Sequence, residues 1–215
     1  MTNLSPTLLI GTRNSGKLRE IREALSELPL TIVTLDEIAV TGEPEENGVT
    51  YEENAAIKAE FYVSATGWSV LADDSGLEVV AMDHGPGLYT ARYGGTRLSD
   101  QERCELLLRA MQGVNDRRAS FYCSFALSHE GITRTISATC SGRISLQPAG
   151  EAGFGFDPIF IPNGFEQTFA QLPRELKAKI SHRGRALASV KKILGDVFVG
   201  AAVSAKSRCC NGRPS

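Results

Sequence analysis

A four-residue apolar run, Thr7 to Ile10, passes directly into Gly11-Thr12-Arg13-Asn14-Ser15-Gly16-Lys17. Leu18, Ile21, Leu25 and Leu28 then recur at helical spacing until Pro29 stops them. Strand, polar glycine-containing loop and helix in that order form the unit from which α/β sheets are built. The loop also faces the helix N-terminus, where free N–H groups and the positive end of the dipole attract anions. The spacing Gly-x4-Gly-Lys matches a phosphate loop, but Leu18 stands where the Mg²⁺-holding Ser or Thr would be. An ordinary turn between strand and helix therefore stays open as the alternative.

The pattern continues along the chain. Thr31 to Leu35 reads as a second strand, followed by the acidic, turn-rich Gly42-Glu43-Pro44-Glu45-Glu46-Asn47-Gly48. Thr50-Tyr51-Glu52-Glu53 has the form of a capping box and opens a helix to about Ala65. Tyr51, Ala55, Ala59 and Tyr62 mark one face of it, and Lys58 lies on another. Trp68 to Leu71 reads as a buried strand ending at Asp73-Asp74-Ser75-Gly76, with a further strand from Leu77 to Ala81. Carboxyl ends of strands are where α/β sheets bind ligands. Alternation along the strand lets one aspartate face the core and the other a cleft, and the inward one needs donors or a cation. Asp, Ser and Gly are also plain turn formers.

His84 to Gly95 forms a long Gly/Pro loop, and Ser99-Asp100-Gln101-Glu102 is a second capping box, with Cys104, Leu107, Leu108 and Met111 inward. Residues 119–127 and 132–140 alternate around Glu130-Gly131, a hairpin expected to extend the sheet antiparallel and to form a second lobe. Gly153-Phe154-Gly155-Phe156-Asp157-Pro158 pairs close backbone approach with planar side chains, which suits stacking on a base or a core turn with buried rings. Ser181 caps a final helix, placing His182 and Arg183 in its first turn, where cations oppose the dipole. Cations set against that preference point to an anion or a ligand acceptor.

Composition excludes other classes. The 215 residues are 42% hydrophobic and 22% charged, with a net charge of −2, so no basic field suggests nucleic acid or membrane as partner. No apolar run reaches transmembrane length, and Met1 to Pro6 lacks the charged and apolar regions of a secretory signal. The five cysteines show no zinc spacing, and a reducing cytoplasmic setting is expected.

Six segments in this order resemble the Ham1-like inosine/xanthosine triphosphate pyrophosphatase family. They are Thr12 to Lys17, Glu53 to Ala59, Ala72 to Leu77, Gly85 to Tyr93, Gly153 to Pro158 and Ile180 to Gly184. The resemblance spans about Leu8 to Leu194. It implies an α/β fold: an elongated mixed β-sheet with flanking helices, in two lobes around a central nucleotide-binding cleft. Residues 1–197 would form that domain and 198–215 a disordered tail. It further implies a homodimer and Mg²⁺-dependent hydrolysis of ITP, dITP and XTP to monophosphate and pyrophosphate. By position, Asp74 would be general base and metal contact, with Glu45 the second metal ligand, although Glu46 beside it is not separated from it by sequence. Thr12, Arg13, Asn14, Ser15, Gly16 and Lys17 would hold phosphates, with Lys58 near them. Ser75, Phe154, Gly155, Phe156, Asp157, Lys177, His182 and Arg183 would bind the nucleotide. Gln171 and the stretch Ala178-Lys179 depart from the family pattern at positions without assigned chemistry. Two other readings are a pyrophosphatase for a modified pyrimidine triphosphate and a nucleotide sensor without turnover; the presence of both Asp74 and Lys58 argues against the sensor.

Overall fold

The computed structural model describes residues 5–38 and 40–200, the side chains of residues 199 and 200 excepted. Six strands form one mixed sheet: β1 (Thr7–Ile10), β2 (Thr31–Thr34), β3 (Ser69–Val79), β4 (Arg118–His129), β5 (Ile132–Ile144) and β6 (Phe160–Pro162), in the order β2-β1-β3-β4-β5-β6. β2, β1 and β3 run parallel, and the pairings from β3 to β6 are antiparallel. The helices are α1 (Ser15–Leu25), α2 (Tyr51–Thr66), α3 (Asp100–Ala110), α4 (Arg174–Ile180) and α5 (His182–Leu194).

The expected break at Asp73-Asp74 does not exist: β3 runs unbroken through both aspartates to Val79. What ends there is the neighbour. β1 pairs with β3 only as far as Ile10 opposite Leu71, whereas β4 follows β3 from Val70 to Val79. From Ala72 to Gly76 β3 therefore has an open edge, before residues 84–90 cover it from Leu77 to Val79, and the cleft forms along the open stretch. The hairpin closes where expected, at Glu130 and Gly131, both with positive φ (48° and 78°).

Burial follows from amphipathic faces. Leu8 and Ile10 of β1 pack with Ile21 and Leu25 of α1 and with Leu187 and Val190 of α5 on one side of the sheet. Leu9, pointing the other way, packs with Ala55, Ala59 and Tyr62 of α2. A third cluster joins Leu77 and Val79 to Leu107 of α3, Phe121, Phe156, Phe160 and Phe169. α4 and β6 lack a sequence signal because seven and three residues are too short to show a period. Of the proposed tail from 198 onward, Phe198 belongs to a π-helical turn, Gly195–Gly200, and its ring meets His129 at 4.9 Å. Residues 201–215 lie outside the described residues.

Candidate active site

Alternation along β3 sends the adjacent aspartates to opposite faces. Asp73 turns toward α1 and α5 and is 1% exposed. Lys17 Nζ lies 3.0 Å from its Oδ2 and Arg183 Nη2 3.5 Å from the same atom. Burial alone would raise its pKa, but Lys17, Arg183 and Lys58 together hold it below the ordinary carboxylate value. The inward aspartate thus has the cations its burial demands. Asp74 turns toward α2. Lys58 Nζ donates to its Oδ1 at 3.2 Å and Asn54 Nδ2 to its Oδ2 at 3.3 Å. Burial is the largest influence here and pushes the Asp74 pKa up.

Lys58 also donates to Glu46 Oε2 at 3.2 Å. Glu46 lines the cleft beside Asp74; Glu45, its neighbour on the same exposed loop, is not among the lining residues. Ser15 is also exposed and off the cleft, and Gly16 lies beneath the Phe154 ring, where a Cβ would approach Phe154 Cδ1 to 2.5 Å. Thr12, Arg13, Asn14 and Lys17 do line the cleft. Asn14 caps α1 by accepting the Lys17 N–H at 3.0 Å.

The other end of the cleft is built from three elements. Ser181 caps α5, accepting the Gly184 N–H at 3.1 Å, and this places His182 and Arg183 against the sheet. Arg183 donates to Glu20 Oε2 and to Ser75 Oγ, both at 2.9 Å. Lys177, on α4, donates to Glu20 Oε1 at 2.8 Å and to Asp157 Oδ2 at 2.5 Å. His182 stacks on Phe121 at 4.6 Å and 9°. Its burial, with Arg183, Lys177 and Lys17 adding repulsion, drives its pKa well below the ordinary 6.5, so the ring is neutral. The Phe154 ring lies 5.1 Å from Lys177 Nζ and 5.4 Å from Arg183 Cζ. Asp157 Oδ2 accepts the Phe154 N–H at 2.8 Å, and Asp100 Oδ2 accepts the Gly155 N–H at 2.6 Å. Phe156 points into the third core cluster at 2% exposure, so its side chain serves packing at the cleft wall.

The cleft encloses about 470 Å³, in the range of small-molecule sites. Its lining joins Asp74, Lys58 and Glu46 to Phe154, His182 and Arg183. Among the described residues five buried side-chain atoms lack hydrogen-bond partners: both Asp73 oxygens, whose Oδ2 lies in ion-pair range of Lys17, and Arg103 Nε, His182 Nδ1 and Arg183 Nε. Sequence reasoning missed Glu20, which joins Lys177 to Arg183, although its place three residues after Lys17 puts both on one face of α1. It also missed Asn54 and Asp100; the latter begins a helix whose capping box was legible, but nothing local announces its bond to Gly155.

Among the described residues no group of three or more His, Cys, Asp or Glu side chains forms a ready metal centre. Asp74 and Glu46 nevertheless offer carboxylate oxygens to one shared cation, now the Lys58 ammonium. An oxygen-only pair supplemented by water and phosphate fits Mg²⁺, which keeps several waters and takes few protein ligands.

Comparison with known proteins agrees with this geometry. The Ham1 family model matches residues 8–193. The dITP/XTP pyrophosphatase of Geobacter sulfurreducens is 46% identical over 191 residues, covering 87% of this chain and 96% of that protein. That of Bacillus subtilis is 42% identical over 189 residues, covering 86% and 96%. Among solved structures, the Staphylococcus aureus Ham1 protein superposes with a TM-score of 0.79 at 38% identity, covering 87% of this chain and 97% of that one. A HAM1 protein from Coxiella burnetii gives 0.81 at 36% identity, covering 89% and 99%. The fold, the order of the cleft-lining segments and the span of these matches together establish that the chain belongs to the Ham1 family.

Proposed function

We propose that this protein is a nucleoside triphosphate pyrophosphatase that hydrolyses ITP, dITP and XTP to the monophosphate and pyrophosphate, with Mg²⁺ as its metal. The observation that carries the base assignment is the placement of His182 and Arg183, two adjacent residues able to donate hydrogen bonds, in the lining of the cleft at the end that holds Phe154. Arginine only donates, and a neutral histidine donates from one nitrogen. A keto oxygen at C6 of hypoxanthine or xanthine accepts from such donors, whereas the amino group of adenine leaves them unpaired. Sites of this kind reject the mismatched analogue by about 10⁴-fold or more. Phe154, whose own amide is held by Asp157 and whose neighbour Gly155 is held by Asp100, supplies a face for stacking.

Chemistry belongs to the other end. Asp74 accepts a proton from water as that water's oxygen bonds to phosphorus and the bridge between the α- and β-phosphates breaks. A carboxylate whose pKa is raised by burial is a stronger base than a solvated one. Lys58, Lys17 and the α1 N-terminus hold the phosphate oxygens. Each ammonium has three protons, so Lys17 can keep Asp73 while facing substrate. Asp74 and Glu46 would hold Mg²⁺, which when bound supplies charge neutralisation on the phosphate oxygens. Buried free thiols at Cys104, Cys123 and Cys140 support a reducing, cytoplasmic setting. No described helix is long and apolar enough to cross a membrane. The homodimer rests on the family resemblance alone. The test is kcat/KM for ITP, dITP, XTP, ATP, GTP and a pyrimidine triphosphate with Mg²⁺; comparable values for ITP and ATP would refute the base assignment.

A further inference from the structure

We propose that Asn54 is a positioning residue that fixes the orientation of Asp74 and the seat of the acidic loop at the same time. It lies in the first turn of α2 and is 3% exposed. Both ends of its amide are used. Nδ2 donates to Asp74 Oδ2 at 3.3 Å, and Oδ1 accepts the Gly48 N–H at 2.9 Å. Reversing the amide would set a carbonyl against a carboxylate and an NH₂ against an N–H, so only one orientation satisfies both neighbours. Gly48 comes close enough for this only because it has no side chain: a Cβ there would meet Glu53 Cβ at 2.7 Å and Asn54 Oδ1 at 2.8 Å. Glu53 Oε2 holds the next amide, that of Val49, at 2.7 Å.

Lys58 stands one turn further along α2, on the same face as Asn54. It makes the parallel bridge, from Glu46 to the other Asp74 oxygen. Each oxygen of Asp74 is therefore held from α2, and each holding residue also grips the loop that carries Glu46. The two bridges differ in kind. An ammonium is drawn to phosphate when substrate enters, whereas a neutral amide has no such competitor. Asn54 keeps Asp74 in place while Lys58 turns to the substrate. Its loss affects turnover more than substrate affinity.

The turnover arm of the test rests on the pyrophosphatase reading; the exchange arm does not. Asn54→Asp and Asn54→Ala are compared with wild type by kcat and KM for ITP with Mg²⁺, by thermal unfolding, and by hydrogen exchange at the Gly48 amide in substrate-free protein. Asn54→Asp keeps an acceptor for Gly48 but replaces the Asp74 donor by a like charge. Asn54→Ala removes both bonds without adding a buried charge, and thermal unfolding confirms that it is folded before its turnover is read. Expected are Gly48 protection kept in Asn54→Asp and lost in Asn54→Ala. In both variants kcat falls about 10–100-fold, as for other partners that orient a catalytic ligand, with KM changed less than threefold. Folded Asn54→Ala with kcat within twofold of wild type overturns the positioning of Asp74. Wild-type exchange at Gly48 in Asn54→Ala overturns the bridge to the loop, as does equal loss of protection in both variants. If wild type released no pyrophosphate from ITP, the functional reading would fail while the exchange pattern still decided the bridge.

Discussion

Asp73 and Asp74 are neighbours in sequence with opposite duties, and replacing each by Asn should separate them. Asp73 is buried between Lys17 and Arg183, whose side chains are 15% and 3% exposed. Breaking a buried ion pair by removing one partner costs about 3–5 kcal/mol, because a charge is left uncompensated. Arg183 keeps Glu20, and Lys17 can turn partly to water, which lowers the expected loss for Asp73→Asn to roughly 2–4 kcal/mol. For a chain of this size each kcal/mol moves the midpoint by about 2–4 °C, so Tm should fall by roughly 4–16 °C at pH 7. The pH dependence follows in sign. The folded pKa of Asp73 lies below its unfolded value, so its stabilisation is complete above the unfolded value near 3.8 and is lost as pH falls through the folded one. The gap between wild type and Asp73→Asn should therefore close only in strong acid. Asp74→Asn removes a carboxylate whose burial is unfavourable, and Lys58 keeps Glu46; stability should change by no more than about 1 kcal/mol, while turnover drops about 10²–10⁴-fold. Scanning calorimetry at pH 7 and pH 4, with ITP turnover on the same samples, reads both. A Tm loss below 2 °C for Asp73→Asn, or a larger loss for Asp74→Asn, would refute the division of roles.

Gly16→Ala should leave Tm within a few degrees of wild type, since alanine favours helices, but raise KM for ITP about 5–100-fold as its Cβ displaces Phe154; an unchanged KM would remove Phe154 from the base site. His182 is held neutral in the fold, so the unfolded chain takes up the proton first as pH drops through 6.5 and stability declines by up to about 1.4 kcal/mol per unit. Urea unfolding of His182→Gln between pH 5 and 7 should show a flatter slope than wild type, and an identical slope would count against a buried neutral ring. Arg183→Ala, assayed well below its melting temperature, should lower kcat/KM for ITP about 10–150-fold and for ATP much less, in line with a charged hydrogen bond of about 1.5–3 kcal/mol; equal losses would make Arg183 part of the scaffold.

The fold was legible wherever a period could accumulate. Helix α1, helix α2 with its cap, and the β4–β5 hairpin all stand where apolar spacing and turn residues put them. The division at Asp73-Asp74 was misplaced because polar residues within a strand read as its end, and only the length of β1 reveals that the pairing changes there while the strand continues. Most of the residues that line the cleft lie in motifs legible in the sequence. What escaped was pairwise and long-range: Glu20 meets Lys177 across 157 residues and Asp100 meets Gly155 across 55. Glu45 and Glu46 could not be told apart because the direction of a side chain on an irregular loop is set by what it packs against, here Lys58.

The central claim joins a keto-purine reader to a centre that cuts between the α- and β-phosphates. Phosphorus-31 NMR of purified protein with ITP and Mg²⁺, run beside ATP, tests both halves at once. The account requires IMP and pyrophosphate from ITP in stoichiometric amounts, with ATP essentially intact over the same period. IDP and orthophosphate as products, or ATP consumed as fast as ITP, would contradict it.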